Sequence, residues 1–469
     1  LLKLRSVEVS GAKISGITAD SRAVRPGFMF AALPGAKQDG RRFIADAVAR
    51  GAVAVLAPEG TAWPAGVPPR KLVTDAAPRM RLARIAAELA GKMPAHIVAV
   101  TGTNGKTSTV DFLRQIFLLS GRKAASLGTL GVIAEGVAPA ETLTTPDAVT
   151  LANTLAELAA AGVTHAALEA SSHGIEQSRL DGLRIEAAGF TNLTRDHLDY
   201  HGGMAAYRGA KMRLFDTLLP RGAPAVAMAD MDRETLAALT AIAARRGLDL
   251  RLVSVAESKA LPGGQEILAN FGGARRNKIL PLPGRFQADN AVLAAALAEA
   301  VGVTDALSFL PQLRGVRGRL ERAVVLGNGA AAYVDYAHTP DAIERVLMAL
   351  RPHAAGRLVI VFGAGGDRDV GKRPLMGEAA ARLADVAIVT DDNPRSENPA
   401  LIRAAILPAC PGGIEIGDRR AAIAAGLEML GPGDVLVVAG KGHEQGQILG
   451  NEVLPFDDVA VIRELAGGA

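Results

Sequence analysis

The run His96-Ile97-Val98-Ala99-Val100-Thr101-Gly102-Thr103-Asn104-Gly105-Lys106-Thr107-Ser108-Thr109 decides the fold class. Residues 96–100 are a short apolar stretch closed by a Gly-rich turn, the pattern of a strand buried in a parallel sheet. A helix is expected over 110–120. Between the two, Gly102 and Gly105 let the backbone N–H groups of 102–108 curl inward around phosphate oxygens, at a helix N-terminus that favours negative charge. In that setting Lys106 is expected to reach the β- and γ-phosphates of a nucleotide, and the Thr107 hydroxyl to ligate Mg²⁺. The usual phosphate-loop pattern has a glycine five residues before the glycine of the Gly-Lys pair, where this chain has Val100, so the loop is a shortened variant.

Moving downstream, 166–168 read as a strand that delivers Glu169 at its carboxyl end, followed by Ala170-Ser171-Ser172-His173-Gly174. A second strand-like stretch ends in Thr191-Asn192-Leu193-Thr194-Arg195-Asp196-His197-Leu198-Asp199. Ligands of open α/β sheets sit beyond the carboxyl ends of the strands, so Glu169 and His197 are placed to converge on the phosphates as metal-ligating groups.

The whole chain alternates Ala- and Gly-rich helices with short β-branched runs, the mark of α/β domains with largely parallel sheets. Its 469 residues are too many for one ordinary core. Three blocks are expected, 1–92, 93–312 and 313–469, joined at Gly91-Lys92-Met93-Pro94 and Leu313-Arg314-Gly315. A helix is expected over 76–90. The third block reads as a doubly wound, Rossmann-like unit with strands near 332–336, 358–362, 386–390 and 435–438.

Composition excludes several classes of function. The 52 basic and 48 acidic side chains leave a net charge of only +4, and aromatics are 4%. No basic run interleaved with aromatics offers a nucleic-acid surface, so nucleic-acid binding is not expected. Pairs such as Arg317/Arg319 and Arg419/Arg420 read as solvated surface or as contacts to small anions. No segment is apolar for long enough to span a bilayer, and Leu1-Leu2-Lys3-Leu4-Arg5 lacks the core of a secretory signal. The lone Cys410 fits a reducing cytoplasm and reads as a packing residue. A cytoplasmic monomer acting on small molecules is the expectation.

Taken together, Thr101–Gly102-Thr103-Asn104-Gly105-Lys106-Thr107, Glu169-Ala170-Ser171-Ser172-His173-Gly174 and Asp196-His197-Leu198-Asp199 resemble the Mur ligases, which add amino acids to the muramyl precursor of bacterial cell walls. Further matches run in the family's order: Asp20-Ser21-Arg22, Thr144-Thr145-Pro146, Tyr207-Arg208-Gly209-Ala210-Lys211, Pro283-Gly284-Arg285-Phe286 leading to Asn290, Arg317-Gly318-Arg319-Leu320-Glu321, Asp335-Tyr336-Ala337-His338, and Lys441-Gly442-His443-Glu444. Two positions depart from the pattern. Leu143 stands where relatives often carry a polar Asn, and Gln287 replaces an Asn common before Asn290.

The resemblance implies an α/β chain of three domains: one for the UDP moiety, a central P-loop-type ATPase, and a Rossmann-like domain for the incoming amino acid. It implies ATP, Mg²⁺ and an acyl-phosphate intermediate. Gly102, Thr103, Asn104, Gly105, Lys106, Thr107 and Ser108 match ATP contacts, as do Asn290, Arg319, Asp335 and His338. Thr107, Glu169, His197 and Lys211 match metal-binding positions. Lys211 matches the lysine that the family carbamylates with CO₂, because a plain ammonium would repel Mg²⁺ whereas a carbamate offers it oxygen. Lys106, Lys211, Glu169 and His197 carry the chemistry in this reading. Ser21, Thr144, Thr145, Ser171, Gln177 and Arg179 match contacts to a UDP-muramyl-dipeptide.

Asp391-Asp392-Asn393-Pro394-Arg395 resembles the signature of family members that take meso-diaminopimelate. That amino acid differs from lysine by a second carboxylate, which an arginine fork binds through two parallel charge-assisted hydrogen bonds. Arg368, Asp392, Asn393, Pro394, Arg395, Gly440 and Glu444 are the implied contacts, with Glu444 suited to the distal ammonium. Arg395 could instead serve as a turn arginine paired with Asp391 or Glu397. A sister ligase that uses lysine or extends folate, or a nucleotide-binding module without catalysis, are the competing readings. Arg395 speaks against the lysine enzyme, the dipeptide-type contacts against folate, and Lys211, Glu169 and His197 against loss of catalysis.

Overall fold

The computed structural model describes residues 6–35, 38–136, 143–196, 198–261 and 263–467. The chain is α/β and packs as two compact units: Leu1–Ser254 with Val292–Ala306, and Val255–Ala291 with Leu307–Ala469. One boundary falls inside the strand Asp249–Leu261 and another inside the helix Arg285–Ala300.

The first unit opens on a parallel four-stranded sheet, ordered Gly16–Thr18, Phe28–Ala31, Ala54–Pro58, Lys71–Asp75. The helix Pro78–Ala90 covers it and packs on the helix Ala148–Ala160. The turn at Gly182 also lies against the helix Pro78–Ala90, where a Cβ would lie 2.2 Å from the Ala83 carbonyl oxygen. The main sheet of this unit runs in the order Asp249–Leu261, Pro224–Met228, Ala187–Phe190, His96–Thr101, His165–Glu169, Ala124–Gly128, Gly131–Ala134. All of its pairings are parallel except the last. His96–Thr101 lies in the middle, and Ile97 through Val100 are buried because helices cover both faces. The helix expected over 110–120 is longer, Lys106–Leu119, and begins directly at the loop.

In the second unit, strands Glu321–Val325, Ala331–Asp335, Val435–Ala439, Leu358–Phe362, Val386–Val389 and Ile414–Glu415 lie in that spatial order. The first pairing is antiparallel and the rest are parallel. The period of two is visible in the cores. Leu358, Ile360 and Phe362 join one hydrophobic cluster with Val435 and Val437, while Val359 and Val361 join another with Leu436 and Val438 on the opposite face. Four of these strands sit where the sequence placed them. The edge strands Glu321–Val325 and Ile414–Glu415 went unexpected, as did the antiparallel pair Gly264–Phe271 and Ala274–Leu280. Gly272 and Gly273, with φ +58° and +76°, form the two-residue turn of that hairpin. Among the described residues no helix is long and apolar enough to cross a membrane. Cys410 is buried, and burial pushes its thiol up, as suits a packing residue.

Candidate active site

Parallel register brings the carboxyl ends of three strands side by side. Glu169 lies opposite Val100, and Phe190 opposite Thr101, so the stretches after residues 101, 169 and 190 meet at one edge of the sheet. The loop after Thr101 is held by the stretch that follows Phe190. Thr103 N donates to Asn192 O (2.8 Å), Asn104 N to Asn192 Oδ1 (3.0 Å), and the Thr191 hydroxyl to Asn104 O (2.6 Å). Thr194 N donates to Thr103 Oγ1 (3.0 Å). This clasp demands glycine at 102: φ is +143°, and a Cβ would lie 1.9 Å from Thr191 Oγ1. Gly105, at φ +85°, turns the chain into the helix.

Two lysines meet this loop. Lys106 Nζ donates to the carbonyls of Gly102 (3.0 Å) and Thr103 (2.8 Å). Lys211 Nζ donates to the same Gly102 oxygen at 2.7 Å and lies 4.5 Å from the centre of the Tyr207 ring. Lys211 is almost wholly buried, at 1% exposure. That burial, with the charge of Lys106 adding to it and Asp196 opposing it, pushes its ammonium well below the usual lysine range. The Tyr207 hydroxyl bonds Thr103 Oγ1 at 3.2 Å, and burial pushes its phenol up to about 12, so it remains protonated.

Glu169 is also buried. Its two oxygens accept from Thr129 N (2.8 Å) and Thr129 Oγ1 (3.2 Å), and its main-chain oxygen accepts from the Thr145 hydroxyl (2.8 Å). Around it gather Thr144, bonded to Thr129 (3.1 Å), Ser171, whose N–H donates to Thr145 Oγ1 (3.0 Å), and Arg179, which donates to Thr145 O and to Gln177 Oε1 (2.8 Å). Five of the six residues expected at the UDP-dipeptide are therefore in one network. The sixth, Ser21, lies in the turn Ser21–Ala23 of the N-terminal sheet, where its hydroxyl donates to Asp46. His197 lies outside the described residues. Among the described residues no group of three or more His, Cys, Asp or Glu side chains could by itself hold a metal ion. The expected magnesium set is of another kind, combining Thr107, Glu169 and a modified Lys211 with His197.

The second unit has its own cluster. Asp335 ends the strand Ala331–Asp335 and accepts from Leu320 N (2.7 Å) and Ala337 N (2.9 Å). Burial pushes its carboxyl up, while Arg319 and the two amides oppose the shift. The Arg319 guanidinium lies 4.6 Å from the centre of the Tyr336 ring, which meets His338 edge to face at 4.5 Å and a tilted His443 at 5.1 Å. His338 Nδ1 donates to Tyr336 O (2.7 Å), and burial lowers its pKa. His443 is pushed down to about 4 by burial, with Arg319 and Arg317 adding to the effect. Asn290 is buried in the same unit.

Further along the same sheet edge, the stretch 391–395 is clasped by the hairpin Gly446–Leu449/Glu452–Pro455. Gln447 Nε2 donates to Asp392 O (2.8 Å), Ile448 N to Asn393 Oδ1 (3.0 Å), Arg395 N to Ile448 O (3.0 Å), and Gly450 N to Arg395 O (2.7 Å). Arg395 has φ +53°, and its Nη1 donates to Gly366 O (2.8 Å). The two carboxylates that might have paired with it are held elsewhere, Asp391 by Arg403 and Glu397 by Arg373. Asn393 Nδ2 donates to Glu444 Oε2 (2.8 Å). Asp392 Oδ2 is buried with no hydrogen-bond partner among the described residues, and Gly440 passes so close that a Cβ there would sit 2.3 Å from it. Pro394 is buried in the same stretch, whereas Arg368 is exposed on the neighbouring loop, donating to Asp367 O (3.1 Å).

Family models match nearly the whole chain. "Mur ligase family, catalytic domain" covers residues 13–94, "Mur ligase middle domain" 100–298, and "Mur ligase, glutamate ligase domain" 318–442. A UDP-N-acetylmuramoyl-L-alanyl-D-glutamate--2,6-diaminopimelate ligase from Caulobacter vibrioides is 56% identical over 463 residues, 95% of this chain and 94% of that one. The chain belongs to the Mur ligase family. A relative of the same description from Rhizobium meliloti is 51% identical over 97% of this chain and 95% of its own. A solved structure of a ligase so described superposes with a TM-score of 0.73 at 34% identity, covering 98% of this chain and 97% of that one.

Within this Mur ligase, several residues that shape the site were invisible as single positions. Thr191, Asn192 and Thr194 act on a loop some ninety residues earlier in the chain. Thr129, Tyr207, Tyr336, Lys441 and Gln447 reach the clusters through partners distant in sequence. For Thr129, Tyr336 and Lys441, as for 191–194, the one advance signal was position just past the carboxyl end of a strand, whereas Tyr207 lies on the helix Met204–Arg213 and Gln447 within the strand Gly446–Leu449. The Arg419/Arg420 pair divides: Arg420 is at the surface with Glu464, but Arg419 is fully buried and bonded to Asp458, equally buried, at 2.7 Å.

Proposed function

We infer that the chain is an ATP-dependent ligase that joins meso-diaminopimelate to UDP-N-acetylmuramoyl-L-alanyl-D-glutamate, a step of peptidoglycan precursor synthesis. The observation that carries this is the identity of 56% and 51%, over nearly full length, to relatives described by that reaction. Local chemistry supports it. Arg395 forms no ion pair with Asp391 or Glu397, which are held by Arg403 and Arg373, and Asp392 offers a buried oxygen without a hydrogen-bond partner among the described residues.

In this reading the loop 102–108 and Lys106 hold the phosphates of ATP. A carboxylate of the UDP-dipeptide attacks the γ-phosphate in line, ADP leaves as the bond to the γ-phosphorus breaks and the acyl phosphate forms, and the amine of diaminopimelate displaces inorganic phosphate with loss of a proton. Asn290, Arg319, Asp335 and His338 also contact ATP, while Ser21, Thr144, Thr145, Ser171, Gln177 and Arg179 hold the UDP-dipeptide. Magnesium, held by Thr107, Glu169, His197 and carbamylated Lys211, would supply positive charge against the transferring phosphoryl group. Lys211 fits that part because the buried amine is biased towards its neutral, nucleophilic form. Arg368, Asp392, Asn393, Pro394, Arg395, Gly440 and Glu444 receive diaminopimelate. Three domains, divided at 1–92, 93–312 and 313–469, and a monomer working in the cytoplasm belong to the same reading.

The test is ligation of UDP-muramyl-dipeptide with diaminopimelate or lysine in parallel. Phosphate release should require ATP, the UDP-dipeptide and diaminopimelate together. Equal use of lysine, or release without the amino acid, would overturn the assignment.

A further inference from the structure

Lys441 directly follows the strand Val435–Ala439 and Gly440, and its side chain is fully buried, with 0% exposed. A lysine without a matching acceptor would be costly at such a place. Lys441 Nζ donates to Asn393 Oδ1 (2.9 Å) and lies 3.5 Å from Glu444 Oε2. Asn393 Oδ1 also accepts from Ile448 N (3.0 Å). With two donors aimed at it, the amide has one workable orientation, in which its Nδ2 faces Glu444 Oε2 at 2.8 Å. Both routes from Lys441, one direct and one through the amide, thus end on the same oxygen of Glu444. They leave Oε1 clear of this network.

We propose that Lys441 is a positioning residue for the amino-acid substrate: it fixes Glu444 by its Oε2 side, directly and through Asn393, so that Oε1 is presented to the distal ammonium of diaminopimelate. The proposal rests on the reading that Glu444 receives that ammonium. Burial lowers the pKa of Lys441 and Arg419 adds to that shift, while Asp392, Glu444 and Asp458 oppose it and favour the charged form. A lysine that merely filled space would have no such converging contacts, and a methionine would replace it with little change at the substrate.

The experiment is a double-mutant cycle in the full chain, with the KM of each of the three substrates measured for parent, Lys441→Met, Glu444→Gln and the double variant. Each single change should raise the diaminopimelate KM about tenfold or more, the scale of losing one charge-assisted hydrogen bond. The double variant should be little worse than the poorer single, because both remove the same contact. KM for ATP and for the UDP-dipeptide should stay within about twofold. Multiplying effects, a common rise of all three KM values, or an unchanged diaminopimelate KM would overturn the proposal. If Lys441→Met does not fold, Asn393→Ser keeps the lysine and breaks the relay. It should show the same substrate-selective defect and the same non-additivity with Glu444→Gln, and additivity there would overturn the proposal as well. A parent enzyme that ligates no diaminopimelate would instead sink the functional reading itself.

Discussion

Removing the guanidinium of Arg395 tests whether this side chain reads the second carboxylate of diaminopimelate. Its contacts within the protein are few: Nη1 donates to Gly366 O at 2.8 Å, and the backbone N–H and carbonyl are tied to the 446–455 hairpin. Arg395→Ala leaves those backbone ties intact, so the lost fold energy is about that of one hydrogen bond, roughly 1 kcal/mol. A bidentate pair to a carboxylate is worth more. Two charge-assisted bonds at the low end for a half-buried arginine give about 3 kcal/mol, or about 150-fold in kcat/KM for diaminopimelate. The position also has φ +53°, which an alanine tolerates no better than the arginine. Arg395→Gly should therefore be more stable than Arg395→Ala by about 0.5–1 kcal/mol, yet equally poor with diaminopimelate. Stability and recognition are thus separated by two substitutions at one site. Steady-state kinetics at saturating ATP and UDP-dipeptide, alongside thermal melts, reads both. Lysine should gain little in either variant, since nothing new is made for it. If Arg395→Ala kept the parent preference for diaminopimelate over lysine, the reader would have to be Arg368 or another residue.

Other outcomes follow from the same geometry. Gly102→Ala should cost about 2 kcal/mol of stability and at least about a hundredfold in turnover, and Thr191→Ala in the same chain should not restore it, because the left-handed backbone stays strained; melts and phosphate release measure the two. Lys211→Ala should lose turnover and regain part of it with added short carboxylic acids, whereas full activity without them would remove the carbamate. His165, stacked 4.3 Å from His96, is pushed down to about 4 by burial, with His96 and Arg122 adding to the shift. The unfolded chain binds the proton near pH 6.5 while the folded one resists it, so this contribution is present above pH 6.5 and is lost as pH falls towards about 4. Urea midpoints at pH 7.5 and 5 should drop further for the parent than for His165→Gln.

What was legible in the sequence was local. The strand at 96, its loop and its helix announced themselves by apolar run, glycines and spacing, and Glu169 by its place at the end of a second apolar run. The four inner strands of the second unit were legible for the same reason, since strands buried on both faces are apolar without interruption. Edge strands lack that mark: Ile414–Glu415 is exposed at both residues. The Gly272-Gly273 turn did carry a signal, two glycines between runs of strand length, but the flanking run 274–280 is charged and reads as loop. Long-range ties were beyond reach. Thr191 meets Asn104 because one strand pairs with another in a particular register, and no local pattern encodes that register. Arg419 looked like surface in a run of charges, and its burial rests on partners distant in sequence, Asp458 39 positions on and the main-chain oxygen of Ala439.

The same dependence on distant partners bears on the proposed carbamylation of Lys211. As an ammonium, itself nearly closed to water, it would share one carbonyl, Gly102 O, with the half-buried ammonium of Lys106. Like charges in such surroundings repel strongly, and each raises the cost of the other. Loss of the proton relieves that repulsion and leaves a nucleophilic amine. Addition of CO₂ forms the N–C bond, releases a proton and turns the side chain into an anion. The interaction with Lys106 then changes sign, from repulsion to attraction, without any movement of the backbone. In the proposed carbamate burial would therefore act twice: it favours the neutral amine that reacts, and it would strengthen the attraction to Lys106 afterwards. A lysine at the surface would gain neither effect, because water would screen both the repulsion and the attraction.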